Sequence, residues 1–131
     1  MKRAQVGFFI FCLLSSTTLL AHHGTGNSFD TDKVITTKAT VTKFVWLNPH
    51  IQIGFTVMGK NGVEEWNVEG DPVNMMAETG WNKKSIKPGD VITISFNPSR
   101  NGANVGYALK VVTADGTCLP RSATWASLCG K

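Results

Sequence analysis

Residues 51 to 69 constrain the fold more tightly than any other stretch of the chain. Ile51, Ile53, Phe55 and Val57 alternate with Gln52, Gly54, Thr56 and Met58, the period-2 pattern of a half-buried strand. Gly59-Lys60-Asn61-Gly62 then reads as a turn, and Val63 to Glu69 returns as a second strand. Neighbouring side chains on a strand point to opposite faces, so a slip of one residue would turn the whole apolar set to solvent. The register is therefore specified: Ile53 pairs with Val68 and Phe55 with Trp66. The same register sets Gln52 opposite Glu69 and His50 opposite Asp71.

Around this hairpin the remaining elements fall into an order. Val34 to Leu47 is rich in β-branched and aromatic residues, with Ile35, Ala39, Val41 and Val45 on one alternating face, and Asn48-Pro49 breaks it. Asp71-Pro72 has the signature of a helix start, Asp71 as N-cap and Pro72 in the first helical position, and Gly80 is a natural stop, which predicts a helix over 72–79. Lys87-Pro88-Gly89-Asp90 is a tight turn before a strand at Val91 to Phe96. Further strands are expected at about Val105 to Thr113 and, briefly, near Thr117 to Leu119. Three strands, a helix and two or three more strands predict a mainly β fold, a small OB-like Greek-key barrel of five to six strands with one short helix between the third and fourth. A β-sandwich needs more strands, and a helical protein contradicts the period-2 runs.

The first 21 residues follow a different logic. Lys2 and Arg3 precede the apolar run Val6 to Leu14, and a small Ala21 ends the segment, the order of a secretory signal peptide. The run falls short of the roughly 20 apolar residues of a spanning helix, so no membrane span is expected once the signal is cleaved. The expected organisation is a signal peptide over 1–21, a flexible N-terminal arm over 22–33, the barrel over 34–119 and a C-terminal tail over 120–131. Cys118 and Cys129 remain in the mature chain, and two cysteines in an exported protein read as one disulfide tying that tail. The expected location is an exported, oxidising compartment. Lys2 and Arg3 are two of 13 basic residues, so 11 remain against nine acidic ones, and net charge drops from +4 to +2. With only Lys83-Lys84 adjacent, no basic stripe suited to nucleic acid appears.

Cleavage after Ala21 leaves His22 carrying a free α-amino group beside its imidazole, with His23 next to it. Neutral nitrogen donors of this kind suit Cu(II) best, with Zn(II) and Ni(II) as alternatives. His50 is the third histidine, and the hairpin register gathers Glu69, Asp71 and Gln52 on its face, where a carboxylate can orient an imidazole at a metal. The metal ligands proposed on this basis are His22, His23 and His50, with Glu69, Asp71 and Gln52 supporting them. Terminal histidines are equally compatible with a plain solvated chain end, His50 with a turn residue and Asp71 with a helix cap. Met58, Met75 and Met76 offer soft ligands for Cu(I) instead, although methionines also fill small cores. Two classes of function lead, a copper-binding protein or a metal-independent module that binds a periplasmic protein partner; a third, copper held by the same histidines for oxidative chemistry on a polymer, lacks a sequence feature that supplies a substrate groove. Catalysis has no support in a nucleophile with its base, and Glu64-Glu65 alternate across a strand and cannot flank one bond.

The combination Ala21-His22-His23, Trp46-x-Asn48-Pro49-His50, Trp66-x-x-Glu69-Gly70, Gly80-Trp81 and Ser85-x-Lys87-Pro88-Gly89-Asp90 resembles a family of small exported bacterial proteins, domain of unknown function 6152. The resemblance covers most of the mature chain. It implies an exported protein with a β-barrel core, directs attention to His22, His23, His50 and Glu69, and implies no activity. The chain departs from the family pattern in placing Gly24-Thr25-Gly26-Asn27 between the histidines and Phe29, and in its Cys118 and Cys129 tail.

Overall fold

A computed structural model describes residues 25–130, so the expected signal peptide over 1–21 lies outside the described residues. A short helical turn, α1 (Thr25–Ser28), leads into six strands, β1 (Ile35–Val45), β2 (Gln52–Gly59), β3 (Gly62–Glu69), β4 (Val91–Pro98), β5 (Val105–Val112) and β6 (Cys118–Pro120). A short helix, α2 (Val73–Ala77), lies between β3 and β4. The sheet runs β3-β2-β1-β4-β5-β6, and a parallel pairing of β3 with β5 closes the first five strands into a barrel. This is the OB-like arrangement expected from the order of elements.

The hairpin has the register that its alternation specifies: Ile53 pairs with Val68, Phe55 with Trp66, and Gln52 with Glu69. Ile53, Phe55 and Val68 are completely buried, and they pack with Ile94, Phe96 and Met76 in one core. β1 departs from the simple alternation. Val41 pairs with Phe55 but Lys43 with Gly54, so Thr42 is an extra residue in a β-bulge, and the bulge inverts the faces beyond it. Phe44 rather than Val45 consequently packs on the core. β5 has the same device. Lys110 pairs with Ser95 but Ala108 with Phe96, which leaves Leu109 as the extra residue.

The helix differs from the expected span 72–79 at both ends. Pro72, not Asp71, is its N-cap residue, and no side chain of the cap itself bonds the first turn. Asn48 takes that role from across the structure, its Oδ1 accepting from Val73 N–H at 3.0 Å. Asp71 is unavailable because its carboxylate faces Tyr107 and Arg121. The helix ends at Ala77, and Gly80 adopts φ +97°, a conformation that glycine reaches without penalty, to turn the chain toward the buried Trp81.

The segments at both ends of the described residues lie against the barrel. Arg100 N–H donates to Ser28 O at 3.0 Å, Asp30 N–H donates to Pro98 O at 2.8 Å, and Phe29 is only 8% exposed. From Ser28 onward the stretch expected as a flexible arm is thus docked, because its one large apolar side chain finds a buried seat. At the other end Cys118 and Cys129 form the expected disulfide, and the tail between them includes a 3-10 helix (Ala123–Cys129). No helix among the described residues is long and apolar enough to cross a membrane.

Candidate functional site

Two short connections converge beside the closing seam of the barrel. The β1–β2 connection carries Asn48-Pro49-His50, with a cis Asn48–Pro49 peptide, and the β3–α2 connection carries Gly70-Asp71-Pro72. Gly70 N–H donates to Ile51 O at 2.9 Å, while Asn48 caps α2, so the two connections are tied to each other at both ends. Gly70 has to be glycine: a Cβ there would lie 2.9 Å from Ile51 Cγ1 and 3.0 Å from Met76 Sδ. Much of the motif that carries the family resemblance, Asn48-Pro49-His50 with Glu69-Gly70, is this joint.

His50 is half-buried, and its Nδ1 lies 2.8 Å from Gly70 O. A carbonyl oxygen only accepts, so Nδ1 carries the proton, and in the neutral ring Nε2 keeps the lone pair. Among the described residues Nε2 has no hydrogen-bond partner. A backbone carbonyl, not Glu69 or Asp71, therefore orients this imidazole. Orienting one ring nitrogen on a carbonyl is the usual support for a histidine that ligates through the other.

Asp71 serves a different cluster. It is 7% exposed; its Oδ1 accepts from the Tyr107 hydroxyl at 2.5 Å, and its Oδ2 lies 3.4 Å from Arg121 Nε. The Arg121 contact is an ion pair without hydrogen-bond geometry, which leaves that buried Nε with no hydrogen bond. The guanidinium is stacked between two rings, 4.7 Å from Tyr107 and 4.8 Å from Trp125. Phe29 meets Tyr107 at 5.6 Å, and His50 meets the same ring edge-on at 6.4 Å. Burial foremost, then the hydrogen bond and charge of Asp71, push the Tyr107 hydroxyl well above its ordinary pKa, against a smaller opposing pull from Arg121. The phenol is thus held neutral as a donor. A cavity of about 110 Å³ lies beside this cluster, lined by Phe29, Asn97, Tyr107, Arg121 and Trp125 among others.

Of the residues singled out from sequence, the structure brings together His50, Asp71, Glu69 and Gln52: Gln52 pairs with Glu69, and Glu69 with Tyr107 in the parallel seam. His22 and His23 lie outside the described residues. Among the described residues no group of three or more His, Cys, Asp or Glu side chains is placed to hold a metal ion. The methionines do not assemble a soft site: Met76 is buried in the core, while Met58 is 80% exposed at the hairpin tip, opposite Val63. Tyr107, Arg121, Trp125 and Phe29 were not visible as site residues in the sequence. For Tyr107 alone there is a signal, the stretch Gly106-Tyr107-Ala108-Leu109, which fails to alternate. All four residues are buried, the mark of a strand covered on both faces.

A comparison with curated proteins finds no match. Residues 11–108, well over half of the chain, match the family described as a family of unknown function (DUF6152), and the chain belongs to that family.

Proposed function

We propose that the chain is exported, loses residues 1–21, and binds a transition metal, Cu(II) in the first place, through the His22 amine and imidazole together with His50, His23 being the alternative ligand. The observation that carries this reading is the orientation of His50: its Nδ1 lies 2.8 Å from Gly70 O, which leaves Nε2 as the nitrogen to ligate, on a ring that cannot swing freely. The docking of Ser28 to Asp30 supports it, since only two ring contacts, of 5.6 and 6.4 Å, separate Phe29 from His50 through Tyr107. Residues 22–24 add a reach of up to about 10 Å ahead of Thr25. The Cys118–Cys129 disulfide supports export, because disulfides persist in oxidising compartments.

Titration of the mature chain, beginning at His22, with Cu(II) against a competing chelator tests the reading. One equivalent is expected to bind with the spectroscopic signature of nitrogen ligands. Binding is expected to be lost when His22 and His23 are both replaced by alanine, to weaken about tenfold or more in His50→Ala, and to weaken when an extra residue blocks the His22 amine. Stoichiometric binding that survives the double replacement sinks the proposal. A second reading, a metal-independent module for a periplasmic protein partner, draws on Met58 and Val63, which stand 80% and 66% exposed opposite each other at the hairpin tip. Association that needs no metal and is abolished by Met58→Lys with Val63→Lys, but not by the histidine replacements, favours it.

A further inference from the structure

Besides its disulfide, the C-terminal 3-10 helix packs on β5 and β6 only through half-buried side chains, Trp125 and Ala126 among them. None of its residues is buried, and none belongs to the core that the five barrel strands enclose. Its described attachments are the Cys118–Cys129 bond, the stacking of Trp125 on the Arg121 guanidinium at 4.8 Å, and Lys110 Nζ–H donating to Leu128 O at 2.7 Å. The disulfide itself is not sealed in. Both cysteines are half-buried and line a surface cavity of about 380 Å³ with Glu78, Thr79, Pro120, Ala123 and Ala126, and the small alanines leave a path for an approaching thiol. Behind the helix lies the Asp71, Tyr107 and Arg121 cluster, whose own contacts to the barrel do not involve either cysteine.

We propose that Cys118–Cys129 is a thiol–disulfide exchange site for a dithiol reductant, and that its reduction releases the C-terminal helix and uncovers the Arg121 face of the cluster while the barrel stays folded. One thiolate of the dithiol attacks a sulfur of the pair, forming a mixed disulfide and expelling the other cysteine as a thiolate. The second thiolate of the dithiol then attacks its partner sulfur in that mixed disulfide. The dithiol ends oxidised to a disulfide, and Cys118 and Cys129 end as two thiols, having gained two electrons from the dithiol and two protons from solvent. Without the cross-link the helix keeps one stacking contact, one surface hydrogen bond and the packing of half-buried Trp125 and Ala126, with no fully buried side chain, and single short helices do not persist on such support. The proposal does not depend on metal binding.

Reducing the mature protein with dithiothreitol, with alkylation to count thiols and hydrogen exchange read by mass spectrometry, tests this. Both thiols are expected to become alkylated under native conditions. Amides of residues 123–130 are expected to exchange about tenfold faster or more, while those of β2 and β4 keep their protection. A Cys118→Ser, Cys129→Ser protein is expected to show the released tail without reductant; reduction is also expected to change tryptophan fluorescence as Trp125 leaves Arg121, and Trp125→Phe to remove most of that change. The proposal fails if thiols appear only together with loss of β2 and β4 protection, if the tail stays protected after reduction, or if it is equally unprotected with the disulfide intact.

Discussion

At the scale of single residues, Tyr107 carries the largest consequence. It is the one tyrosine of the chain and the neutral donor to a buried carboxylate. Tyr107→Phe leaves Asp71 Oδ1 without that donor while the ion pair with Arg121 persists. A loss of about 2 kcal/mol in chemical denaturation is expected, the range for hydrogen bonds to charged groups. The same residue sets an alkaline limit. Its folded-state pKa is raised above the unfolded value of about 10, so the folded chain holds the proton more tightly. Its stabilising contribution is complete below pH 10 and is lost as the pH climbs from there toward the folded pKa. The stability difference between wild type and Tyr107→Phe is therefore expected to be constant from neutral pH to about 10 and to narrow above it. Phenolate absorbance, which reports this residue alone, is expected to rise only at pH values where the wild type begins to unfold. A difference that widens with pH contradicts the burial and hydrogen-bond account.

Among the elements, the joint between the β1–β2 and β3–α2 connections is the least forgiving. Gly70→Ala drives a methyl group to within 2.9 Å of the fully buried Ile51 and 3.0 Å of the fully buried Met76, neither of which has space to yield. Overpacking of this kind is expected to cost about 1–3 kcal/mol by thermal or urea denaturation. Asn48→Ala removes the acceptor for Val73 N–H and is expected to cost about 1 kcal/mol, the ordinary value of an N-cap. Neither variant removes the His50 ring, although both disturb the connections that hold it. The hairpin register was legible in the sequence because two alternating runs admit one alignment, and with it came the juxtaposition of Gln52 and Glu69. Two kinds of feature were not legible. Bulges at Thr42 and Leu109 invert the alternation without a composition signal, so Phe44 could not be placed inside. The capping of α2 by Asn48 spans 25 residues, and local motifs favour the nearer Asp71. Asp71 had a stronger engagement with Tyr107 and Arg121, one that only the closed barrel creates.

For the molecule as a whole, the barrel is closed by unequal seams. β1 pairs with β2 and β4 over long antiparallel stretches, whereas β3 meets β5 in parallel across three positions, Asn67 with Val105, Val68 with Gly106 and Glu69 with Tyr107. Parallel pairing is slightly weaker for each residue, and a short seam has few bonds to lose. What reinforces it lies outside the barrel: Tyr107 is held by Asp71, Phe29 and Arg121, and these come from the β3–α2 connection, the N-terminal segment and the C-terminal tail. The segments around Phe29 and Arg121 thus act as straps over the closure, which is also where His50 sits. Native-state hydrogen exchange in low denaturant is expected to show the seam amides, Asn67 to Glu69 and Val105 to Tyr107, opening at lower free energy than those of the β1–β4 ladder. Phe29→Ala is expected to widen that gap, because the opening it favours leaves the antiparallel ladders intact. Exchange of seam and ladder amides at one common free energy, unchanged by Phe29→Ala, would instead mean that the barrel opens only as a unit and that the straps contribute nothing separate from the core.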